Sequence, residues 1–173
     1  MYYIEGKYPF LLFMLAAVIH EFGHVLAIKT LKGKIKRVDI MPLCARIVTS
    51  GTLSHKRDMA VFLCGPAANI IVFFMYLPFL FVSRSPYIWY FALVNLFLAV
   101  LNLLPIPGND GYRALEAMLK NKSDEETAFS MAKRMGNISN IFFFVLTAAS
   151  VVLSGFNPGV TALAAAANLY KKD

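Results

Sequence analysis

Long apolar runs dominate this chain, and polar residues gather between them. The runs cover residues 8–31, 59–82 and 87–104, with a fourth apolar region over 138–170. A helix that crosses a bilayer needs about 20 apolar residues, within roughly 17–25, so the first three runs read as spans. The fourth region is broken by Gly155-Phe156-Asn157-Pro158-Gly159. Residues 138–154 just reach spanning length, whereas 160–170 is short and suits a re-entrant or interfacial position. Four spans and a short fifth segment are therefore expected, and whether 158–170 crosses stays open. Between the first two spans, residues 34–40 alternate partly between polar and apolar, and 45–52 are rich in Val, Ile and Thr. That pattern predicts a short β-hairpin. Residues 121–126 carry helix-start chemistry, with Ser123 as cap and Glu126 three residues later as in a capping box. An amphipathic helix should follow, to about Met135.

The predicted fold class is an α-helical polytopic membrane protein. A three-span core fills residues 1–115, an amphipathic connection fills 116–137, and one or two C-terminal membrane segments fill 138–173. These form one integrated membrane domain, without internal repeats or low-complexity tracts. Composition agrees. Hydrophobic residues make up 58% and charged residues 16%, against about 45–50% and about 25% in ordinary globular chains. Disordered and fibrous classes are excluded. The first run contains Glu21 and two histidines, and its only early basic residue is Lys7. It reads as a retained span, not a cleaved leader. Cys44 and Cys64 form no C-x-x-C pair and imply no disulfide framework.

The formal net charge is +7, from 17 Lys+Arg and 10 Asp+Glu. In a soluble chain that balance suggests nucleic acid. Here it reads as basic loops beside anionic lipid, with no nucleic-acid partner. The segment from the end of span one to the start of span two, residues 29–57, holds Lys29, Lys32, Lys34, Lys36, Arg37, Arg46, Lys56 and Arg57. Only Arg84 lies between spans two and three, while Arg113, Lys120, Lys122, Lys133 and Arg134 follow span three. The positive-inside rule then puts the first and third connections in the cytoplasm and the N-terminus outside.

Candidate chemistry sits in the first span, at His20-Glu21-Phe22-Gly23-His24. In a helix the two histidines lie four residues apart on one face and can reach one ion. A hydrolytic zinc site takes three protein ligands and keeps a place for water, whose pKa falls toward about 7. Glu21 is placed to take the proton. The chain has 3 histidines, and two of them flank a carboxylate inside an apolar run, where ionisable groups are costly and usually functional. Asp110 is the candidate third ligand. Spans one and three both run outside to inside, so His20, His24 and Asp110 arrive on the same, cytoplasmic side. Pro105, Pro107 and Gly108 prevent a regular helix before Asp110. Asn69, Asn95 and Asn102 lie within the spans and must find partners; interhelical hydrogen bonding suits Asn95. His55 reads as a solvated loop histidine. Glu5, Asp39, Asp58 and Glu116 are weaker ligand candidates.

Three motifs in order resemble those of the site-2 protease family of intramembrane zinc metalloproteases. They are His20-Glu21-Phe22-Gly23-His24, Gly65-Pro66-Ala67-Ala68-Asn69, and Asn102 through Gly111 with Pro105 and Asp110-Gly111. They cover residues 8–115. The likeness is greatest to the small bacterial branch typified by the stage IV sporulation membrane protease. That branch often carries a C-terminal CBS domain, which these 173 residues do not include. Asn109 stands where many members have a small or apolar residue. The resemblance implies Zn2+ held by His20, His24 and Asp110, Glu21 as the catalytic base, and Asn102, with Asn69, in substrate binding. It also implies a multi-pass protein of a bacterial cytoplasmic-type membrane. The substrate would be a membrane-associated protein such as a tethered transcription factor, an anti-sigma factor or a signal-peptide remnant. An inhibitory membrane partner is also in keeping with it. Cleavage would fall near the cytoplasmic face. The hairpin could bind unwound substrate by strand addition. The alternative is a non-catalytic membrane adaptor or chaperone with a protease-like fold. A metal transporter would want ionisable groups on both sides of a pore, whereas here they converge on one.

Overall fold

In a computed structural model, residues 7–41, 44–50 and 54–153 are described. The elements run α1 (Lys7–Thr30), β1 (Lys34–Met41), β2 (Cys44–Ser50), α2 (His55–Val82), α3 (Pro86–Leu103), α4 (Asp110–Lys120) and α5 (Glu125–Leu153). Four of the helices, α1, α2, α3 and α5, are long and apolar enough to cross a membrane. The chain is a multi-pass membrane protein. The break at Gly155–Gly159, the short fifth segment and Glu5 lie outside the described residues.

Element ends follow local chemistry. Helix α1 closes with a Schellman arrangement: Gly33 N–H donates to the Ile28 carbonyl at 2.8 Å and Lys32 N–H to that of Lys29 at 3.1 Å. Lys32 holds the left-handed conformation, φ 58°, that such an end requires. Strands β1 and β2 pair antiparallel from Lys34 opposite Ser50 to Met41 opposite Cys44, with an irregularity between Ile35 and Arg37. His55 opens the first turn of α2 and is half-buried, so it is a helical residue and not the loop histidine expected. Helix α3 stops ahead of Pro105, and Leu104 turns extended at φ −63°, ψ 135°, as the residue before a proline prefers.

Two expectations about the C-terminal half change. The amphipathic connection and the fourth span are one continuous helix, α5. No proline interrupts residues 125–153, and Gly136 allows a close crossing: a Cβ there would lie 2.8 Å from the Tyr112 ring and 3.2 Å from Pro107. The boundary expected at 115/116 falls inside α4, and that at 137/138 falls inside α5. The cap is also displaced by one residue from Ser123. Asp124 Oδ2 accepts the Thr127 N–H at 2.9 Å, and the Asp124 carbonyl takes the Ala128 N–H at 2.9 Å. The Thr127 backbone N–H, with the Thr127 hydroxyl, holds the Asp124 carboxyl below its usual range.

Helices α1, α2 and α3 pack on one another, α4 packs against α2, and α5 meets only α4 among the described elements. The Arg113 guanidinium lies 5.8 Å from the Phe62 ring centre, adding a tie between α4 and α2. The interior of the bundle is small or polar. Ala16, Ala92, Ala99, Asn69 and Asn95 are all fully buried, while Phe10, Phe22, Phe74, Phe81 and Phe142 are exposed. In water such an exterior would be untenable; in lipid it costs nothing, and small residues let helices approach closely. The five buried polar side chains, His20, His24, Asn69, Asn95 and Asp110, then need one another.

Candidate metal centre

His20 and His24 sit one turn apart on the face of α1 turned to α2, and both are buried, as is Asp110 at the start of α4. Their donor atoms converge. Asp110 Oδ2 lies 2.9 Å from His20 Nε2 and 3.1 Å from His24 Nε2, and the two Nε2 atoms are 3.3 Å apart. Sequence reasoning singled out these three residues from ninety positions of chain, and the structure joins them as a group able to hold a metal ion.

The route to Asp110 explains its position. After α3 the chain turns tightly, with Ile106 N–H to the Leu104 carbonyl at 2.8 Å and Asn109 N–H to that of Ile106 at 3.0 Å. The Asn109 amide reaches back to the Leu101 carbonyl at 2.6 Å, which satisfies an acceptor at the end of α3. Gly111 presses directly on the Leu103 and Leu104 carbonyls, where any Cβ would collide. Thus Asp110 is tucked beneath the end of α3 and aimed at α1.

Each histidine has its other ring nitrogen committed. His24 Nδ1 is 2.8 Å from the Val61 carbonyl, which can only accept, so Nδ1 carries the proton. His20 Nδ1 is 3.1 Å from Asn69 Oδ1 and likewise donates. Both Nε2 lone pairs therefore face the Asp110 carboxylate. Three electron-rich atoms within 3.3 Å of each other repel unless a cation lies among them. Tetrahedral zinc, with bonds of about 2.0–2.2 Å, spaces its donors roughly 3.3 Å apart. The observed edges are within a few tenths of an ångström of that. Space is kept open as well: a Cβ on Gly65 would crowd His24 Nε2 and Cε1 and lie 2.9 Å from His20 Nε2. Two nitrogens, each on a ring whose outer hydrogen bond is made, and a carboxylate suit a zinc-type ion.

The remaining candidates occupy different places. Glu21 is half-buried on α1 and close enough to His24 to interact electrostatically. Asn102 is half-buried near the end of α3 and its amide donates to the Leu98 carbonyl at 2.9 Å. Asn69, expected at the substrate, is fully buried behind His20. Its Nδ2 donates to the Ala16 carbonyl at 3.2 Å and to Asn95 Oδ1 at 3.1 Å, so its hydrogen-bonding capacity is spent inside the bundle. Sequence reasoning missed the Val61 carbonyl, because a backbone acceptor leaves no trace in residue identity. Nor did it foresee Gly65 as the residue that clears room for the ion.

Comparison with solved structures settles the architecture. The chain superposes on the site-2 protease from Methanocaldococcus jannaschii with a TM-score of 0.69, covering 94% of this chain and 76% of that one at 21% identity. It has the site-2 protease fold. Among curated proteins, zinc metalloprotease MJ0392 of Methanocaldococcus jannaschii is 24% identical over 132 residues, 73% of this chain and 39% of that protein. Putative zinc metalloprotease Rip2 of Mycobacterium tuberculosis is 31% identical over 112 residues, 61% of this chain and 42% of that protein. The chain thus spans about two fifths of the length of these curated relatives. No family model matches it. The likeness read from the three motifs holds both in fold and in sequence relatives.

Proposed function

We propose that this protein is an intramembrane zinc endopeptidase. The observation that carries the reading is the convergence of His20 Nε2, His24 Nε2 and Asp110 Oδ2 within 3.3 Å, with both Nδ1 protons already committed elsewhere. His20, His24 and Asp110 would hold the zinc. When bound, zinc supplies Lewis acidity, polarising a peptide carbonyl and acidifying water.

Glu21 is the general base. It takes a proton from the attacking water and returns it to the amide nitrogen as the C–N bond breaks, so protons balance over the cycle. Asn102 offers its amide oxygen to the backbone of an unwound substrate, while Asn69 acts behind His20. The β1–β2 hairpin lies between α1 and α2 and offers strand edges for the same substrate. By the distribution of Lys and Arg, the N-terminus lies outside and the site lies toward the cytoplasm of a bacterial-type membrane. The substrate class is a membrane-associated protein cut near that face: a tethered transcription factor, an anti-sigma factor or a signal-peptide remnant. The test is Glu21→Gln in proteoliposomes with a membrane-tethered reporter panel. Cleavage should vanish while zinc content stays near that of wild type. A variant that cuts at the wild-type rate refutes the mechanism.

A further inference from the structure

Asn95 lies in α3, outside all three motifs, and does not touch the proposed ligands. It is nevertheless fully buried and joined to them through one intermediate. We propose that Asn95 is a positioning residue for the metal centre, acting through Asn69 to hold His20 with its Nε2 lone pair turned inward. The inference rests on the reading of His20 as a metal ligand.

Direction carries the argument. An amide can be turned about its last torsion, exchanging oxygen and nitrogen, and its partners decide which way it faces. Asn95 Nδ2 lies 2.8 Å from the Phe91 carbonyl, which only accepts. The NH2 group must face that carbonyl, so Asn95 Oδ1 faces the bundle interior. There it meets Asn69 Nδ2 at 3.1 Å. Asn69 Nδ2 gives its other hydrogen to the Ala16 carbonyl at 3.2 Å. With both hydrogens engaged, Asn69 presents only its oxygen to His20 Nδ1 at 3.1 Å. His20 Nδ1 must then carry the proton, and Nε2 is left with the lone pair a metal needs. A chain of oriented groups therefore begins at a backbone carbonyl of α3, crosses α2 and ends on α1.

Without Asn95 one hydrogen of the Asn69 amide loses its acceptor in a buried site. The amide is then free to turn, and the His20 ring loses its fixed orientation. Outer hydrogen bonds of this kind typically change metal affinity about 10–100-fold. A neutral aspartic acid at the same position reproduces both bonds, with O–H to Phe91 and C=O to Asn69, and burial favours that neutral form.

The experiment measures zinc affinity by competition with a chromophoric chelator. It uses the detergent-solubilised full chain as wild type, Asn95→Leu, Asn95→Ser and Asn95→Asp, each checked for helicity and monodispersity. Asn95→Leu and Asn95→Ser should bind zinc about 10–100-fold more weakly; serine serves if leucine prevents folding, because its hydroxyl is too short to reach Asn69. Asn95→Asp should return to within about threefold of wild type, since both bonds are restored. Wild-type affinity in folded Asn95→Leu or Asn95→Ser overturns the proposal. So does an equal loss in all three variants, which would report packing instead of hydrogen-bond direction. A wild type that binds no zinc fails differently, because it refutes the metal centre itself.

Discussion

A single methyl group at Gly65 should abolish metal binding, although Gly65 is not a ligand. The added Cβ of Gly65→Ala would lie 2.5 Å from His24 Cε1, where ordinary contact begins at 3.4 Å, so the His24 ring must retreat by about 0.9 Å if α2 holds its place. Metal sites tolerate donor displacements of about 0.2 Å. The shift is several times that, and it also pulls His24 Nδ1 off the Val61 carbonyl, 2.8 Å away. Two donors then remain, and zinc affinity should fall by at least about 100-fold, beyond the range seen when only outer hydrogen bonds are lost. The overpacking itself should cost about 1–3 kcal/mol of stability, so a folded protein is expected. The assay is zinc content and chelator competition on Gly65→Ala, with Ala68→Gly on the same helix as a control that leaves the site untouched. Near-stoichiometric zinc with wild-type affinity in Gly65→Ala would show that the histidines do not face Gly65 in the manner described.

Further outcomes follow from other contacts. Gly136→Leu should drive α5 away from Tyr112 and Pro107, which lie within 3.2 Å of a Cβ there; zinc affinity should drop about 10-fold as the Asp110 segment loses its backing, and unchanged affinity would show that α5 does not brace the site. Lys32→Gly should raise the thermal unfolding midpoint in detergent, by up to about 1 kcal/mol of stability, because Lys32 holds φ 58° at a cost glycine avoids; Lys32→Ala should leave it nearly unchanged. Ile47→Pro removes a backbone donor from β2, where Ile47 pairs with Val38. It should impair cleavage of a membrane-tethered reporter while zinc stays bound, and intact cleavage would count against strand addition.

Much of this architecture was legible from residue pattern, for identifiable reasons. Membrane spans declare themselves because the bilayer demands about 20 apolar residues in a row. His20 and His24 were legible because one helical turn fixes their geometry, and Asp110 because two spans of like direction bring it to the same side. Other features depend on distances that no local pattern encodes. Asn69 reads equally well as a substrate contact or an interior support, and only its three buried hydrogen-bond partners, Ala16, His20 and Asn95, favour the interior. The continuity of α5 was hidden because local pattern does not show that Gly136 serves a close approach to Tyr112. The cap moved from Ser123 to Asp124 because both side chains can accept a backbone N–H, and it is Asp124 that takes that of Thr127.

The central claim is that this bundle is built around one metal ion. Elemental analysis of the detergent-purified chain, with His24→Ala prepared in parallel, addresses it most directly. The account predicts about one zinc per chain in the wild type and its loss in the variant. A folded, monodisperse wild type that holds no metal even after zinc is supplied would contradict it, and the same fold would then be better explained as a membrane adaptor that binds helices without cutting them.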